Sequence, residues 1–357
     1  MFLGSMKADS FRNLSAADFQ FDPGFNIFFG NNGQGKTNLL EAIYILANTK
    51  SFRTHHLSEC VRYQKDRFWI HGSVQKKSLE RLLLLEWQAG NRELRVNEKT
   101  ESILGYLGNL DALVISFDQL PIVRGAPEQR RKFLDRGIAQ LKKAYLYSLA
   151  EFHQVLQQRN HLLVQIREGS APVSDLEVWE PIYADRALFV SAERERYVEE
   201  LNRTLHQVRF SSDALLLRYL RSTRERDPTA FCEALASLRS KEIHRGRSLK
   251  GPHRDDLEIL IDERPIQSFG SGGQQRSAVF SLLLAATHLY FIENKEYPVL
   301  LIDDVDAELD IGRLQGLLDR LRGQRQVFLS TAKENVLRSI DYGKKWEVLA
   351  GSSLLLS

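Results

Sequence analysis

The chain has 357 residues, 43% hydrophobic and 27% charged, which supplies a full apolar core and a length better suited to two lobes than one. Lysine and arginine number 49 against 46 aspartate and glutamate, a net charge of +3, so any nucleic-acid surface has to come from local clustering. Two distant cysteines, Cys60 and Cys232, exclude a disulfide framework or a cysteine metal site and read as neutral thiols.

The N-terminus shows no basic stretch followed by an apolar run, so no signal peptide is expected. The most apolar stretch, 278–292, is too short to span a bilayer. The expected compartment is the cytoplasm, with no membrane partner.

In chain order, Phe25-Asn26-Ile27-Phe28-Phe29 reads as a buried strand closed by Gly30, and 38–47 as a buried helix. Segments 69–74, 82–87 and 94–96 read as strands of a mixed sheet, with a turn at Ala89-Gly90-Asn91. From Glu128 to Arg167 the pattern predicts one long helix of roughly 60 Å. Its seam is Leu134, Ile138, Leu141, Tyr145, Ser148, Phe152, Val155, Arg159, Leu162 and Ile166, with only Ser148 and Arg159 out of type. Gly169-Ser170-Ala171-Pro172 breaks it, and a second helix over about 175–208 should pack back antiparallel. From Gly251 the pattern returns to strands at 257–261, 299–302 and 327–329, with an apolar helix at 277–292.

The expected fold is therefore α/β. An α/β lobe (1–121 and 250–357), with a mixed sheet and helices, is interrupted by an inserted all-helical lobe (122–249) that contains a long antiparallel helix pair.

Three motifs carry chemistry. Gly30-Asn31-Asn32-Gly33-Gln34-Gly35-Lys36-Thr37 fits G-x-x-x-x-G-K-[ST] between a strand and a helix. Its glycines would let backbone N–H groups turn around the phosphates of ATP at a helix N-terminus, Lys36 would reach the β- and γ-phosphates, and Thr37 would offer its hydroxyl to Mg²⁺.

Next, the apolar strand Pro298–Ile302 ends in Asp303-Asp304. Asp303 at the strand's C-terminal edge would hold Mg²⁺, and Asp304 would orient or deprotonate the attacking water. Third, Ser271-Gly272-Gly273-Gln274 opens a helix upstream of that strand. Alone it reads as a helix cap. In the order phosphate loop, Ser-Gly-Gly-Gln, acidic strand, Ala307-Glu308-Leu309-Asp310, it matches the ABC ATPases, where this segment faces ATP held by a second subunit. That order makes the α/β lobe an ABC-type P-loop ATPase lobe and implies a head-to-tail homodimer with two ATPs, in which Ser271, Gly272, Gly273, Gln274 and Asp310 contact the partner's nucleotide.

Along its whole length the sequence resembles the RecF family of DNA recombination and replication-repair proteins. The resemblance rests on Ser10-Phe11-Arg12-Asn13-Leu14, on Asn38-Leu39-Leu40-Glu41-Ala42-Ile43, on Ser51-Phe52-Arg53, and on Gly125-Ala126-Pro127-Glu128-Gln129-Arg130-Arg131-Lys132-Phe133-Leu134-Asp135. It continues through Gly251-Pro252-His253-Arg254-Asp255-Asp256 and the run from Leu301 to Asp310.

The sequence departs from the family at Asp118-Gln119-Leu120-Pro121, at Ala307, and at Ser330-Thr331-Ala332, where ABC transporters carry a switch histidine. Asp304 stands in place of the transporter-type glutamate, which fits a slow ATPase. The resemblance implies that Arg12 joins the ATP-binding residues. It further implies ATP-coupled binding to gapped or junction DNA, weak DNA-stimulated hydrolysis, and a mediator partner of the RecR type that helps load recombinase onto single strands during repair, replication and the SOS response.

A basic cluster, Arg239, Lys241, His244, Arg245, Arg247, Lys250 and Arg254, suits DNA phosphates, with Arg245, Arg247 and Lys250 as the candidate contacts. A solvated face or pairing with acidic neighbours explains it equally. Arg254 also suits the nucleotide site, and Gln75 is the candidate for a glutamine beside it. The rival functions are another SMC-like DNA scaffold with longer arms, a transporter subunit or small-molecule kinase, and a scaffold that binds ATP only to dimerise.

Overall fold

The computed structural model describes residues 1–116, 119–208, 214–304, 311–323 and 325–356, apart from the side chains at 311, 313, 352 and 353. The run 305–310, with Asp310, and Asp118 lie outside the described residues. By contacts the chain forms two compact units, Met1–Gln119 with Tyr290–Ser357, and Leu120–Leu289.

The first unit holds two six-stranded sheets. One is antiparallel throughout, in the order β2 (Ala17–Gln20), β1 (Phe2–Asp9), β4 (Arg67–Lys76), β5 (Leu79–Gln88), β6 (Asn91–Val96), β7 (Lys99–Thr100). The expected mixed sheet over 69–96 is thus corrected. From β4 to β7 each strand follows its neighbour through a two-residue turn, such as Ala89-Gly90 with both φ positive, and such turns produce antiparallel pairs.

The second sheet runs β15 (Ser352–Leu356), β14 (Lys344–Leu349), β3 (Phe25–Phe29), β13 (Val327–Thr331), β12 (Val299–Ile302), β8 (Ala112–Ile115). It is parallel except at β14–β15. Strands buried on both faces need apolar side chains in succession, and β12 reads Val-Leu-Leu-Ile, all buried. The helix Lys36–Asn48 packs between the two sheets. Its Leu39, Leu40, Ile43 and Leu46 share one core with Leu3, Ile70, Val74 and Leu85 of the first sheet and Phe28, Leu301 and Phe328 of the second.

The second unit centres on a helical hairpin, and the single long helix expected over 128–167 is in fact two, Pro127–Leu141 and Lys143–Arg167. The break falls at Lys142, whose backbone is extended (φ −132°, ψ 97°) while its ammonium pairs with Glu193 at 2.8 Å. A heptad pattern reports which face is apolar and does not register one extended residue that leaves the face unchanged. The return helix, Asp175–Leu205, matches the expected one.

The insertion is not wholly helical. β9 (Leu215–Leu220) lies within it and pairs antiparallel with β10 (Asp256–Ile261), which also carries β11 (Arg264–Pro265). Arg130 on the first of these helices clasps Asp256 at 2.7 and 2.9 Å. The buried Asp255 accepts from Ser191 and Tyr219. These bonds hold the stretch after 249 with the insertion, so the compact unit runs on to Leu289.

Candidate nucleotide site at the edge of the parallel sheet

Strand register assembles the site. β13 pairs with β12 at Ile302↔Leu329 and with β3 at Thr331↔Phe29. One step further along the parallel strands, Asp303 comes beside Ser330, and Gly30 follows Phe29 at the same edge. Ligands bind at the carboxyl ends of such strands.

The loop from Gly30 to Thr37 closes onto the helix Lys36–Asn48, with Gly35 at its N-cap in the left-handed region (φ 111°). That φ is one L side chains rarely adopt, and a Cβ there would also press on the Asn13 side-chain oxygen at 2.7 Å, so the position favours glycine. Asn31, Asn32 and Gly33 are exposed at the tip.

Lys36 is 4% exposed, and its ammonium donates to the carbonyl oxygens of Gly30 (2.7 Å) and Asn31 (3.0 Å). Among the described residues no carboxylate pairs with it. Buried charges are ordinarily paired, so this ammonium marks a place for an anion.

Thr37 donates its hydroxyl to Asp303 at 3.0 Å across 266 positions of sequence. Ser330 donates to the same carboxylate oxygen at 2.6 Å. Burial pushes the Asp303 carboxyl up to about 6, and the neighbouring Asp304 charge acts in the same direction against the hydrogen bond from Ser330. Asp304 has a left-handed backbone (φ 45°), and its N–H donates to the Ser330 hydroxyl at 2.9 Å. The hydroxyl–carboxylate pair Thr37–Asp303 is an all-oxygen donor set of the kind Mg²⁺ takes, and the glycine-rich loop at a helix N-terminus suits a polyphosphate together with Lys36. The residues present therefore fit Mg²⁺ and ATP.

Ser330 is the residue that sequence reading placed only as part of a switch stretch. Its position beside Asp303, one step past the Ile302↔Leu329 pair, is a signal visible once the two strands are known to be parallel neighbours.

Arg12 stands close by but faces Glu41, donating at 2.8 and 3.0 Å, and the carbonyl of Glu59 at 2.7 Å. The fully buried Glu41 also accepts from Ser51 (2.5 Å) and Arg53 (3.3 Å). Gln75 lies in β4 opposite Phe2, within the antiparallel sheet and away from this edge. Gln119, four residues past β8, donates from its side chain to the Val114 carbonyl at 2.9 Å and lies nearer the edge. Cys60 is buried, which pushes its thiol up to about 12, and Cys232 shifts the same way, so both thiols are neutral.

In the second unit, Ser271 and Gln274 form a reciprocal capping box at the start of the helix Gly272–Asn294. The Gln274 N–H donates to the Ser271 hydroxyl (3.3 Å), and the Ser271 N–H donates to the Gln274 side-chain oxygen (3.0 Å). Ser271, Gly272 and Gly273 are exposed. Gln275 is tied inward, accepting from Arg124 and donating to the carbonyls of Ile266 and Gly270.

The basic cluster divides. Arg239 is committed to Glu180 and Glu177, and Lys250 stands 3.7 Å from Glu225. Arg245 and Arg247 are exposed, with no ion pair among the described residues.

A phosphate loop, an acidic strand end two positions along the same sheet and a helical insertion define a P-loop ATPase head of the ABC and SMC class. A model of the RecF/RecN/SMC N-terminal domain matches residues 2–348. A protein of Lactobacillus johnsonii named DNA replication and repair protein RecF is 36% identical, covering 98% of this chain and 95% of its own. Its namesake in Bacillus subtilis is 35% identical over 93% of each. The solved structure of the recombination mediator protein RecF with ATP, described within the RecFOR pathway, superposes at TM-score 0.92 with 29% identity, covering 100% of this chain and 98% of that one. An Smc head domain shares the fold at TM-score 0.60 and 14% identity, covering 100% of this chain and 97% of its own. The chain belongs to the RecF family.

Proposed function

We propose that this protein is an ATP-dependent DNA-binding protein of recombinational repair and replication, acting in the cytoplasm. The observation that carries the nucleotide reading is Lys36, a buried ammonium held, among the described residues, only by carbonyl oxygens inside a phosphate-type loop. Among the described residues no helix is long and apolar enough to cross a membrane. The full-length similarity to proteins named for DNA replication and repair supports the process.

In this reading the loop N–H groups and Lys36 hold the β- and γ-phosphates, while Thr37 and Asp303 hold Mg²⁺, which neutralises phosphate charge when bound. Asp304 orients or deprotonates the attacking water, and hydrolysis is slow. Ser271, Gly272, Gly273, Gln274 and Asp310 face the nucleotide of a second copy, giving a head-to-tail homodimer with two ATPs. The capping box leaves the Ser271 segment exposed at a helix N-terminus, a suitable place for a phosphate.

Dimerisation brings two copies of the basic segment onto one DNA. Arg245 and Arg247 serve there better than Lys250, which already has an acidic neighbour. Gapped or junction DNA is the substrate, and a mediator of the RecR type the partner.

Binding to a gapped duplex with and without Mg·ATP, across a salt series, tests the coupling. The expected result is ATP-dependent binding that weakens steeply with salt. Equal affinity in both conditions would leave a constitutive DNA binder with an unrelated nucleotide site.

A further inference from the structure

We infer that the turn of the C-terminal hairpin β14–β15, Ala350-Gly351, is part of the nucleotide site, and that Gln34 is a positioning residue that locks the phosphate loop onto this turn. The inference rests on the reading of the loop as the ATP site.

Gln34 is the fifth residue of the loop, and both of its acceptors are occupied from outside. Its backbone carbonyl accepts from the Gly351 N–H at 2.8 Å and from the Asn13 side-chain amide at 3.0 Å. Its side-chain oxygen accepts from the Ala350 N–H at 2.6 Å. Ala350 and Gly351 are the two turn residues of the hairpin, both with positive φ (48° and 81°), and Leu349↔Ser352 closes the ladder around them. In a two-residue turn of this kind the central N–H groups point out of the ladder and need a partner elsewhere. Here both find Gln34.

The fit is specific on each side. A Cβ on Gly351 would collide with the Asn13 carbonyl oxygen, and the φ of 81° already favours glycine. Asn13 in turn accepts from the Asn38 side chain at 2.7 Å, on the helix that follows the loop. A second contact lies at the loop's first residue. β14 runs parallel to β3 up to Glu347↔Phe29, and the Val348 carbonyl stands 2.5 Å from where a Gly30 Cβ would be. The hairpin therefore braces the loop at Gly30 and at Gln34.

A phosphate loop binds through backbone N–H groups whose directions have to be set before the ligand arrives, so bracing it from behind lowers the cost of binding. The side chain of Gln34, engaged by the turn, serves the phosphates by fixing the loop rather than by touching them.

The test is Mg·ATP titration and steady-state hydrolysis with the full chain, comparing wild type with Lys36→Met, Gln34→Met, Gly351→Val and Leu354→Ser. Leu354 is exposed on β15, away from the turn. Gln34→Met and Gly351→Val are expected to raise Kd and KM about tenfold, the scale of one or two lost hydrogen bonds, with kcat at saturating ATP close to wild type. Leu354→Ser should bind as wild type does.

Normal affinity in both turn variants, with none in Lys36→Met, overturns the hairpin's role alone. A lowered kcat with unchanged KM in Gln34→Met also overturns it, because that residue would then touch the reacting phosphate. Equal binding by wild type and Lys36→Met overturns the loop reading and this inference with it. If Gly351→Val does not fold, Gln34→Met at its half-exposed position decides.

Discussion

The helical unit and the edge of the parallel sheet hold buried charge differently. In the helical unit two buried arginines are matched by carboxylates. Arg159, fully buried, reaches Glu242 at 2.6 Å, Glu180 at 3.3 Å and Ser248 at 2.8 Å. Arg194, 2% exposed, forms a two-point bond with Asp135. At the edge of the parallel sheet, among the described residues, Lys36 has only carbonyl partners, and Asp303 has hydroxyl partners beside a second carboxylate. Matched burial builds a scaffold, whereas unmatched burial marks a place where a ligand completes the balance.

Removing one ion from each region should therefore have different consequences. Arg159→Met leaves the buried Glu242 without its cation, while Glu180 keeps Arg239, and is expected to cost about 3–5 kcal/mol of stability. Urea unfolding measures it, and a loss under about 1 kcal/mol would show that the network is not sealed. Lys36→Met should do the reverse. It removes an unpaired buried charge, so the melting temperature without nucleotide should hold or rise, while ATP affinity falls at least about a hundredfold. A large fall in stability without nucleotide would place Lys36 among the structural ions.

Asp304→Asn sharpens the contrast within the edge itself. ATP binding should persist while single-turnover hydrolysis slows by about 10². Wild-type turnover would move the water-orienting role to another group.

His253 gives the smallest effect. Burial holds its imidazole down to about 4, with its ring nitrogens near the Ser248 carbonyl (3.1 Å) and the Tyr183 hydroxyl (3.4 Å). The ordinary value is about 6.5, so between these limits the unfolded chain binds the extra proton. Stability is therefore full above about 6.5 and declines as pH falls toward 4, by about 2–3 kcal/mol at the lower end. His253→Gln should flatten that slope in thermal melts taken between pH 4.5 and 7. An unchanged slope would assign it to other groups.

The same division explains what could be read in advance. The phosphate loop and Asp303 were legible because each sits at the end of an apolar run, and a strand end in a parallel sheet has one place to go. Ser330 was not, because its role depends on the register of β13 against β12, a long-range fact that no local pattern carries. In the helical unit the period placed Arg159 in the buried seam but did not show what neutralises it there. An arginine in an apolar seam breaks the pattern, and the glutamates that pay for it, Glu180 and Glu242, lie 21 and 83 positions away. β9 was missed for a related reason. Leu215-Leu216-Leu217-Arg218-Tyr219-Leu220 has no strict alternation and becomes a strand only by pairing with β10. The break at Lys142 leaves the apolar face intact and so left no trace in the spacing.

The most direct test of a metal–nucleotide site at the sheet edge is a double-mutant cycle on Mg²⁺-dependent ATP binding with Thr37→Val, Asp303→Asn and both together. Each single change should weaken Mg·ATP binding by about 10- to 100-fold and leave metal-free ATP binding nearly unchanged. The double variant should be little worse than the weaker single one, because both residues serve one ion. Independent, multiplying losses, or equal losses with and without Mg²⁺, would contradict the assignment.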